Sequence, residues 1–425
     1  MRAVVIGGGV AGSASAIALA RIGSEVTVYE AREDPAGPVG SYVSLAVNGL
    51  RTLGVLGCLE PVQRTGFPVA RQLMWSGRGR LLGDVARGRR PQDALHSITV
   101  MRADLVTALR DEALRCGARI VTGQRLTGSA DPLAGDADLI VGADGIWSAI
   151  RRELDPAAPQ PAYAGITHIS GISDGARIRT PISRQGFNWI FARNGVFIYL
   201  PAPDGSVWWT AQVASPQPPA DLATVSLADL AEKFRTEKQA AAVLQAATGV
   251  RAANIGYVLA PVTRRHNGRT VLIGDAAHPV GAGQGASMAM EDGVVLAAEL
   301  AAADGIPAGL AAFDRQRQPR SGKLAKIEAA NRDAKTAGPI AGRMRELIMP
   351  HVFNRFYEKA TGWLYDFDPG ALPAGIQGSR GLPQLFQRYN PASSRYFGGS
   401  PRRWSARPGE RSCFCMRNKS SKAGQ

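Results

Sequence analysis

The run Gly7-Gly8-Gly9-Val10-Ala11-Gly12 constrains the fold of this chain more than any other feature in it. It joins an apolar stretch, residues 3–6, which reads as a buried strand, to a small-residue stretch, 10–22, which reads as a helix. A second strand, 25–30, closes a β-α-β unit and ends on Glu30, 18 residues beyond Gly12. The three spaced glycines have separate duties. Gly7 permits a tight turn, Gly9 lets backbone approach a pyrophosphate, and Gly12 lets helix and strand pack closely. The helix start then offers free N–H groups and the positive end of its dipole to phosphates. A carboxylate at the position of Glu30 can accept both hydroxyl hydrogens of an adenosine ribose. Val10 and Ala11 complete the phosphate turn, and Arg32 reads either as lining the adenine side or as an exposed arginine.

Further elements follow from periodicity. Residues 48–56 have helical spacing, and 102–115 read as an amphipathic helix with Leu105, Leu109 and Leu114 on one side. Strands are expected at 118–122 and 138–142. Between 162 and 213 the texture turns to sheet, with strands at 167–172, 188–191, 196–200 and 207–213 and a hairpin turn at Asp204-Gly205. Residues 227–247 read as helical, 270–273 as a buried strand, and 287–303 as a long helix, with further helices to about 365. Residues 35–40 read as loop. The expected domains are therefore 1–160 (first part of a nucleotide-binding β-α-β domain, with an excursion near 65–100), 161–265 (a sheet-rich substrate domain), 266–368 (second part and C-terminal helices), and 369–425, a basic Gly/Pro-rich tail of poor order.

Two more loops carry chemistry. In Asp138-Leu139-Ile140-Val141-Gly142-Ala143-Asp144-Gly145 a buried strand delivers Asp144 to a turn, which reads equally as a ligand site or a capped turn. In Gly274-Asp275-Ala276-Ala277-His278-Pro279 an acid at a strand end can bind polyol hydroxyls. The glycine turn Gly281-Ala282-Gly283-Gln284-Gly285-Ala286 feeds a helix start that can face a ring carbonyl becoming anionic on reduction. His278 reads as a general base or, more plainly, as a loop histidine packed near a cofactor.

The three loops, in this order and spacing, resemble those of the group A flavin monooxygenases, the para-hydroxybenzoate hydroxylase-like family, over roughly residues 1–365. The resemblance implies an α/β fold. A Rossmann-like FAD-binding domain would carry an inserted mixed or antiparallel substrate sheet and C-terminal helices. It implies FAD held by Gly7, Gly9, Gly12 and Glu30, with Asp275 on the ribityl chain and the Gly283, Gly285 and Ala286 backbone against the flavin pyrimidine edge. Arg102 matches the family arginine that contacts FAD, Asp144-Gly145 matches a motif tied to FAD and NADPH use, and residues 313–320 resemble the late helix. The activity implied is oxygen insertion, as hydroxylation or epoxidation, through a C4a-hydroperoxyflavin, with NADPH or NADH as reductant and O2 as co-substrate. The organic substrate would be a bulky apolar or aromatic molecule, in natural-product tailoring or aromatic catabolism. One departure stands out: the link His278-Pro279-Val280-Gly281 lacks the second proline many relatives place near the reactive flavin edge. A flavin reductase or dehydrogenase and a non-catalytic flavin sensor are the alternatives; a G-x-W-x-W-x-I-P halogenase signature is absent.

The substrate pocket is expected among aromatic residues of the sheet region, with Trp189, Tyr199, Trp208 and Trp209 as candidates; an ordinary sheet core accounts for them as well. Trp208 and Trp209 point to opposite strand faces, so at most one can meet a ligand. Composition excludes other classes. The net charge of +15 concentrates in residues 376–425, where ten basic residues face only Glu410, leaving +6 for the remaining 375 residues. A mildly basic body suits anionic cofactors and gives no reason to invoke nucleic acid. The four cysteines, Cys58, Cys116, Cys413 and Cys415, form neither a disulfide framework nor a metal pair. No metal, no stable membrane insertion and a cytoplasmic location are the expectations.

Overall fold

The nucleotide-type core is built on largely apolar strands, and three of them, Arg2–Ile6, Leu139–Gly142 and Thr270–Leu272, are buried nearly throughout. The computed structural model describes residues 1–373 apart from 35, 36, 38–40, 129, 130, 281, 282 and 336–338. Five strands make one all-parallel sheet in the order Thr270–Leu272, Leu139–Gly142, Arg2–Ile6, Glu25–Tyr29, Arg119–Val121. The first strand is central. The chain leaves it to one side and later returns on the other, so its C-terminal end is the topological switch point where ligands bind in open α/β sheets.

The first helix, Val10–Arg21, is fully sandwiched, with ten residues buried. That explains its Ala/Ser/Gly content: a Cβ on Gly293 of the helix Gly285–Ala302 would lie 2.8 Å from the Ser15 backbone nitrogen. Only small residues allow two backbones that close. The helix Arg102–Arg115 packs beside it through Leu105, Val106, Leu109 and Ala113. Leu114 is not on that face and is 49% exposed. Five residues past Leu109 is 500° of helical rotation, about 140° off the apolar stripe.

A second sheet has seven strands, in the order Ala247–Val258, Ala162–Asp174, Ser206–Ala214, Gly195–Pro201, Phe187–Ala192, Arg71–Ser76, Leu81–Ala86. Its pairs are antiparallel except Phe187–Ala192 with Arg71–Ser76. The expected hairpin turns at Gly205, with φ +86° and the Asp204 carboxylate accepting from Ser206 N at 2.9 Å. The expected helix over 227–247 is instead two short helices, Leu227–Lys233 and Lys238–Gln245, and Ala247–Val258 is a strand. That strand is at the sheet edge and mostly half-exposed, so it lacks the apolar alternation that marks a strand in sequence. A small sheet of Tyr42–Leu45, Ile98–Met101 and Phe67–Pro68 links the two large ones. The C-terminal helices are Ile306–Lys335 and Pro339–Tyr365. The second lies against Leu81–Ala86, where a Cβ on Gly83 would meet the Phe353 ring at 2.2 Å. Among the described residues no helix is long and apolar enough to cross a membrane. The expected loop at 35–40 and the tail beyond 373 lie, but for Gly37, outside the described residues.

Two truncations on one helix separate its faces. Leu109→Ala should destabilise by about 2–5 kcal/mol through cavity formation, and Leu114→Ala by no more than about 0.5 kcal/mol, compared by the urea midpoints of the two variants.

Candidate active site

At the end of the central strand the backbone is packed against backbone. Gly7 has φ +109°, and a Cβ there would lie 2.3 Å from Ala143 O; a Cβ on Gly12 would lie 1.8 Å from Gly7 O. Side chains are thus excluded at both positions by contact as well as by conformation. The helix that follows starts at Gly9 with no side-chain cap and no acid in its first turn. The N–H groups of Val10, Ala11 and Gly12 are therefore left for an external acceptor. Around this helix start stand Glu30, Arg32, Arg102 and Asp275. Glu30 accepts from Gly8 N at 2.7 Å and Arg32 N at 2.9 Å, which orients its carboxylate at the lip. The Arg102 guanidinium approaches Gly9, 3.9 Å from where its Cβ would be. Burial and Arg32 lower the pKa of Arg102, while Asp275 and Glu30 raise it, so all four charges share one cleft. Arg32 itself is exposed.

Asp275 sits on a short 3-10 turn, Gly274–Ala276, after the strand Thr270–Leu272. Its carboxyl is open to solvent along the cleft, yet protein packed around it raises its pKa by desolvation, opposed by His278 and Arg102. The turn is held from below. Asp292 Oδ2 accepts from Gly274 N at 2.8 Å and lies 2.6 Å from His278 Nε2. Arg317 Nε donates to Asp292 Oδ1 and Nη1 to Glu291 Oε2, both at 2.7 Å. Arg320 and Asn48 complete Glu291, and Asn48 also reaches Gln284 Oε1 at 3.2 Å. Burial alone would raise Asp292; His278 and Arg317 outweigh it and hold the carboxyl well below the usual range. His278, weighed as a general base, has its Nε2 committed to this buried ion and acts as a fastener of the turn.

Asp144 likewise has a structural partner. Its Oδ2 accepts from Ala149 N at 2.7 Å and Ile150 N at 3.3 Å, capping the helix Ala149–Leu154. Arg151 is fully buried and donates to Ile146 O at 2.6 Å and Ala276 O at 2.9 Å. It ties the Asp144-Gly145 turn to the Asp275 turn, a link that distance along the chain conceals. Asp144 thus shapes the cleft from behind, and its Oδ1 is buried without a bonding partner among the described residues.

The helix Gly285–Ala302 also starts uncapped, at Gln284, and Gly283 has φ +78°. Gly281 and Ala282, where the expected link lacks its proline, lie outside the described residues. A Cβ on Gly283 would be 3.6 Å from Ser44 O and 3.9 Å from Arg87 Nη2, so this turn faces the small linking sheet and the large sheet together. The aromatic candidates divide by strand face. Trp208 and Trp189 lie in the cluster with Phe67, Phe187, Ile198 and the partly buried Tyr42. Trp208 meets Phe67 edge-on at 5.1 Å and Tyr42 at 5.8 Å. Tyr199 and Trp209 are excluded from that face. They pack under the two short helices with Phe197 and Phe234, and the Tyr199 hydroxyl bonds Gln239. Sequence reasoning missed Tyr42, Arg87, Asp292 and Arg317. The acid pair Glu291-Asp292 inside an apolar helix was a readable signal that buried cations must lie opposite.

A central strand ending in an uncapped helix start, with a ribose-competent carboxylate beside it, defines a dinucleotide-binding α/β protein. The family model described as FAD binding domain matches residues 1–327. The chain is 31% identical over 365 residues to the kynurenine 3-monooxygenase of Salinispora arenicola, covering 78% of this chain and 79% of that protein. It is 29% identical over 343 residues to the FAD-dependent urate hydroxylase of Klebsiella pneumoniae, covering 75% and 86%. Among solved structures, CtdE in complex with FAD and a substrate superposes with TM-score 0.72 at 17% identity, covering 87% of this chain and 96% of that one. The chain belongs to the group A flavoprotein monooxygenases, and is an FAD-dependent oxidoreductase.

The Asp292 ion network predicts acid lability. A depressed carboxyl contributes stability that is present above about pH 4, its unfolded value, and lost as pH falls below that toward the folded one. Unfolding midpoints measured from pH 7 to 3 should fall steeply at the acid end. Asp292→Asn should cost about 3–5 kcal/mol at pH 7 and flatten that acid slope.

Proposed function

We propose that this chain inserts one atom of O2 into an aromatic small molecule at the expense of NAD(P)H. The observation that carries the reading is the meeting of the helix start at Gly9, the charges Glu30, Arg102 and Asp275, and the turn at Gly283, with one aromatic face of the large sheet.

The residues present fit FAD. The free N–H groups of Val10, Ala11 and Gly12 suit a pyrophosphate, and Arg102 adds compensating charge. Glu30 retains acceptor capacity for ribose hydroxyls, and Asp275, unlike Asp292, presents its carboxyl to the cleft, where a polyol chain can bind it. When bound, FAD supplies hydride acceptance and O2 activation, chemistry no side chain offers. The chain's own residues bind, orient and dry the site. The uncapped start of Gly285–Ala302 places N–H groups and dipole where negative charge on a ring edge is stabilised. Trp208, Phe187 and Phe67 form an apolar wall that holds an aromatic ring and keeps water from the reacting atoms. Arg151 and the Asp292 network hold the two acid turns rigidly, so that position is not lost between turnovers. In this reading residues 1–160 and 266–368 hold the cofactor, and 161–265 with the strands of 71–86 hold the substrate. A cytoplasmic, NAD(P)H-supplied setting fits that chemistry.

The test is direct. Purified protein should be yellow with one FAD per chain, and should oxidise NADPH or NADH with matching O2 consumption. A panel of kynurenine, urate, salicylate and 3-hydroxybenzoate, substrates suggested by the names of its relatives, should raise that rate for at least one compound and yield an oxygenated product. Gly12→Val should leave the protein colourless. Colourless wild-type material that cannot be loaded with FAD would sink the reading; substrate turnover without O2 would favour a reductase.

A further inference from the structure

Alternate residues of the strand Ser206–Ala214 share the face of the large sheet that carries Trp208. The register sets them in three rows. Trp208 stands between Leu200 and Ile172, Thr210 between Ile198 and Ser170, and Gln212 between Val196 and His168. The first row is apolar and is closed by Phe67 and the Tyr42 ring, whose centroid is 5.8 Å from that of Trp208. In the second row Ser170 Oγ and Thr210 Oγ1 bond each other at 2.9 Å. The Tyr42 hydroxyl is near enough to Thr210 to feel it but is out of bonding geometry, and it is buried with no hydrogen-bond partner among the described residues. In the third row Gln212 is 9% exposed, and its Oε1 is buried and accepts from no group among the described residues.

The opposite face of the same sheet treats a buried amide differently. Asn188 Nδ2 donates to Gln185 O at 3.0 Å and Gly186 O at 3.2 Å, and its Oδ1 accepts from Trp75 Nε1 at 2.9 Å. A buried polar group left without such partners is costly unless a ligand supplies one. Burial pushes the Tyr42 phenol up to about 12, so it offers a proton and no charge. The Gln212 amide is neutral as well. Thr210 and Gln212 are two residues apart on one face, a separation of about 7 Å along the strand. An unmet donor beside Thr210 and an unmet acceptor at Gln212 are therefore one aromatic ring apart, over a floor of Ile198 and Val196. The site adjoins the cofactor end of the cleft: Tyr42 is two residues from Ser44, whose carbonyl oxygen lies 3.6 Å from where a Cβ on Gly283 would be.

We propose that Gln212 and Tyr42 select the substrate, a neutral heteroaromatic ring with an N–H on one side, donated to Gln212 Oε1, and a carbonyl on the opposite side, accepting from the Tyr42 hydroxyl. A site built to pair both groups rejects a ligand lacking either one, because the protein's own group then stays buried and unpaired. The strand fixes the spacing of the two groups before substrate enters, so little ordering is needed on binding. The inference rests on the monooxygenase reading of the same cleft.

The experiment uses the full-length FAD-loaded protein without NAD(P)H, titrated with three uncharged probes. These are 4-quinolone, its N-methyl derivative, which lacks the donor, and tetrahydroquinoline, which keeps the N–H and lacks the carbonyl. Binding is read from the flavin visible difference spectrum and by calorimetry. The wild type should bind 4-quinolone about 10-fold more tightly than either of the others, which converts to about 1.4 kcal/mol. Gln212→Leu should abolish the preference over the N-methyl compound and keep that over tetrahydroquinoline. Tyr42→Phe should do the reverse. Should Gln212→Leu fail to fold, Gln212→Met, closer in shape to glutamine, gives the same reading. Variants that weaken all three probes alike assign the two residues a structural role and overturn the proposal. Equal binding of the probes by the wild type, or binding of none, overturns it whatever the variants do. Failure to hold FAD at all would appear first, as missing visible absorbance, and would count against the monooxygenase reading instead.

Discussion

Burial of Asp292 and Glu291 inside the helix Gly285–Ala302 is the constraint on which the cleft depends. Neither carboxylate touches water, so each must be answered by hydrogen bonds and cations. The answers come from distant parts of the chain: Gly274 N and His278 from the acid turn, Asn48 from an early helix, Arg317 and Arg320 from the penultimate one. Replacing a partner removes a hydrogen bond or a cation from a carboxylate that has no water to take its place. The network therefore fixes, in a single electrostatic unit, the turn that carries Asp275, the helix start beside Gly283, and the C-terminal helices.

A second organising feature is the two-sidedness of the large sheet. Trp208 and Trp209 are adjacent in sequence and opposite in space. Trp209 packs against Phe197 under two short helices, and its burial holds those helices to the sheet. Trp208 faces Tyr42 and Phe67 and joins the insertion to the nucleotide-type core. The two faces of the same strands thus pack against different parts of the molecule, as the period of two along a strand requires.

Charge in the cleft is graded. The helix start, Arg102 and Arg32 make the cofactor end positive, tempered by Glu30 and Asp275. The aromatic face of the large sheet carries Arg87 over the Phe187 ring. Such an arrangement suits an anionic dinucleotide at the helix-start end of the cleft.

Local pattern alone determined the nucleotide-binding half. The spaced glycines, the apolar strands and Glu30 act within some thirty residues, and short-range sterics and hydrogen bonding leave them one arrangement. The strands between 162 and 213 and the helix Arg102–Arg115 were legible for the same reason, though Leu114, apolar by type, falls off the buried stripe by its angle on the helix. The edge strand Ala247–Val258 was not legible, since a half-exposed edge carries no apolar alternation. Only tertiary structure decided which aromatic residues meet the cleft, that His278 is bound to a buried ion, and that Asp144 caps a helix. Each of these depends on which residues, tens or hundreds apart along the chain, end up in contact, and burial and pairing are properties of those contacts and not of the residues themselves.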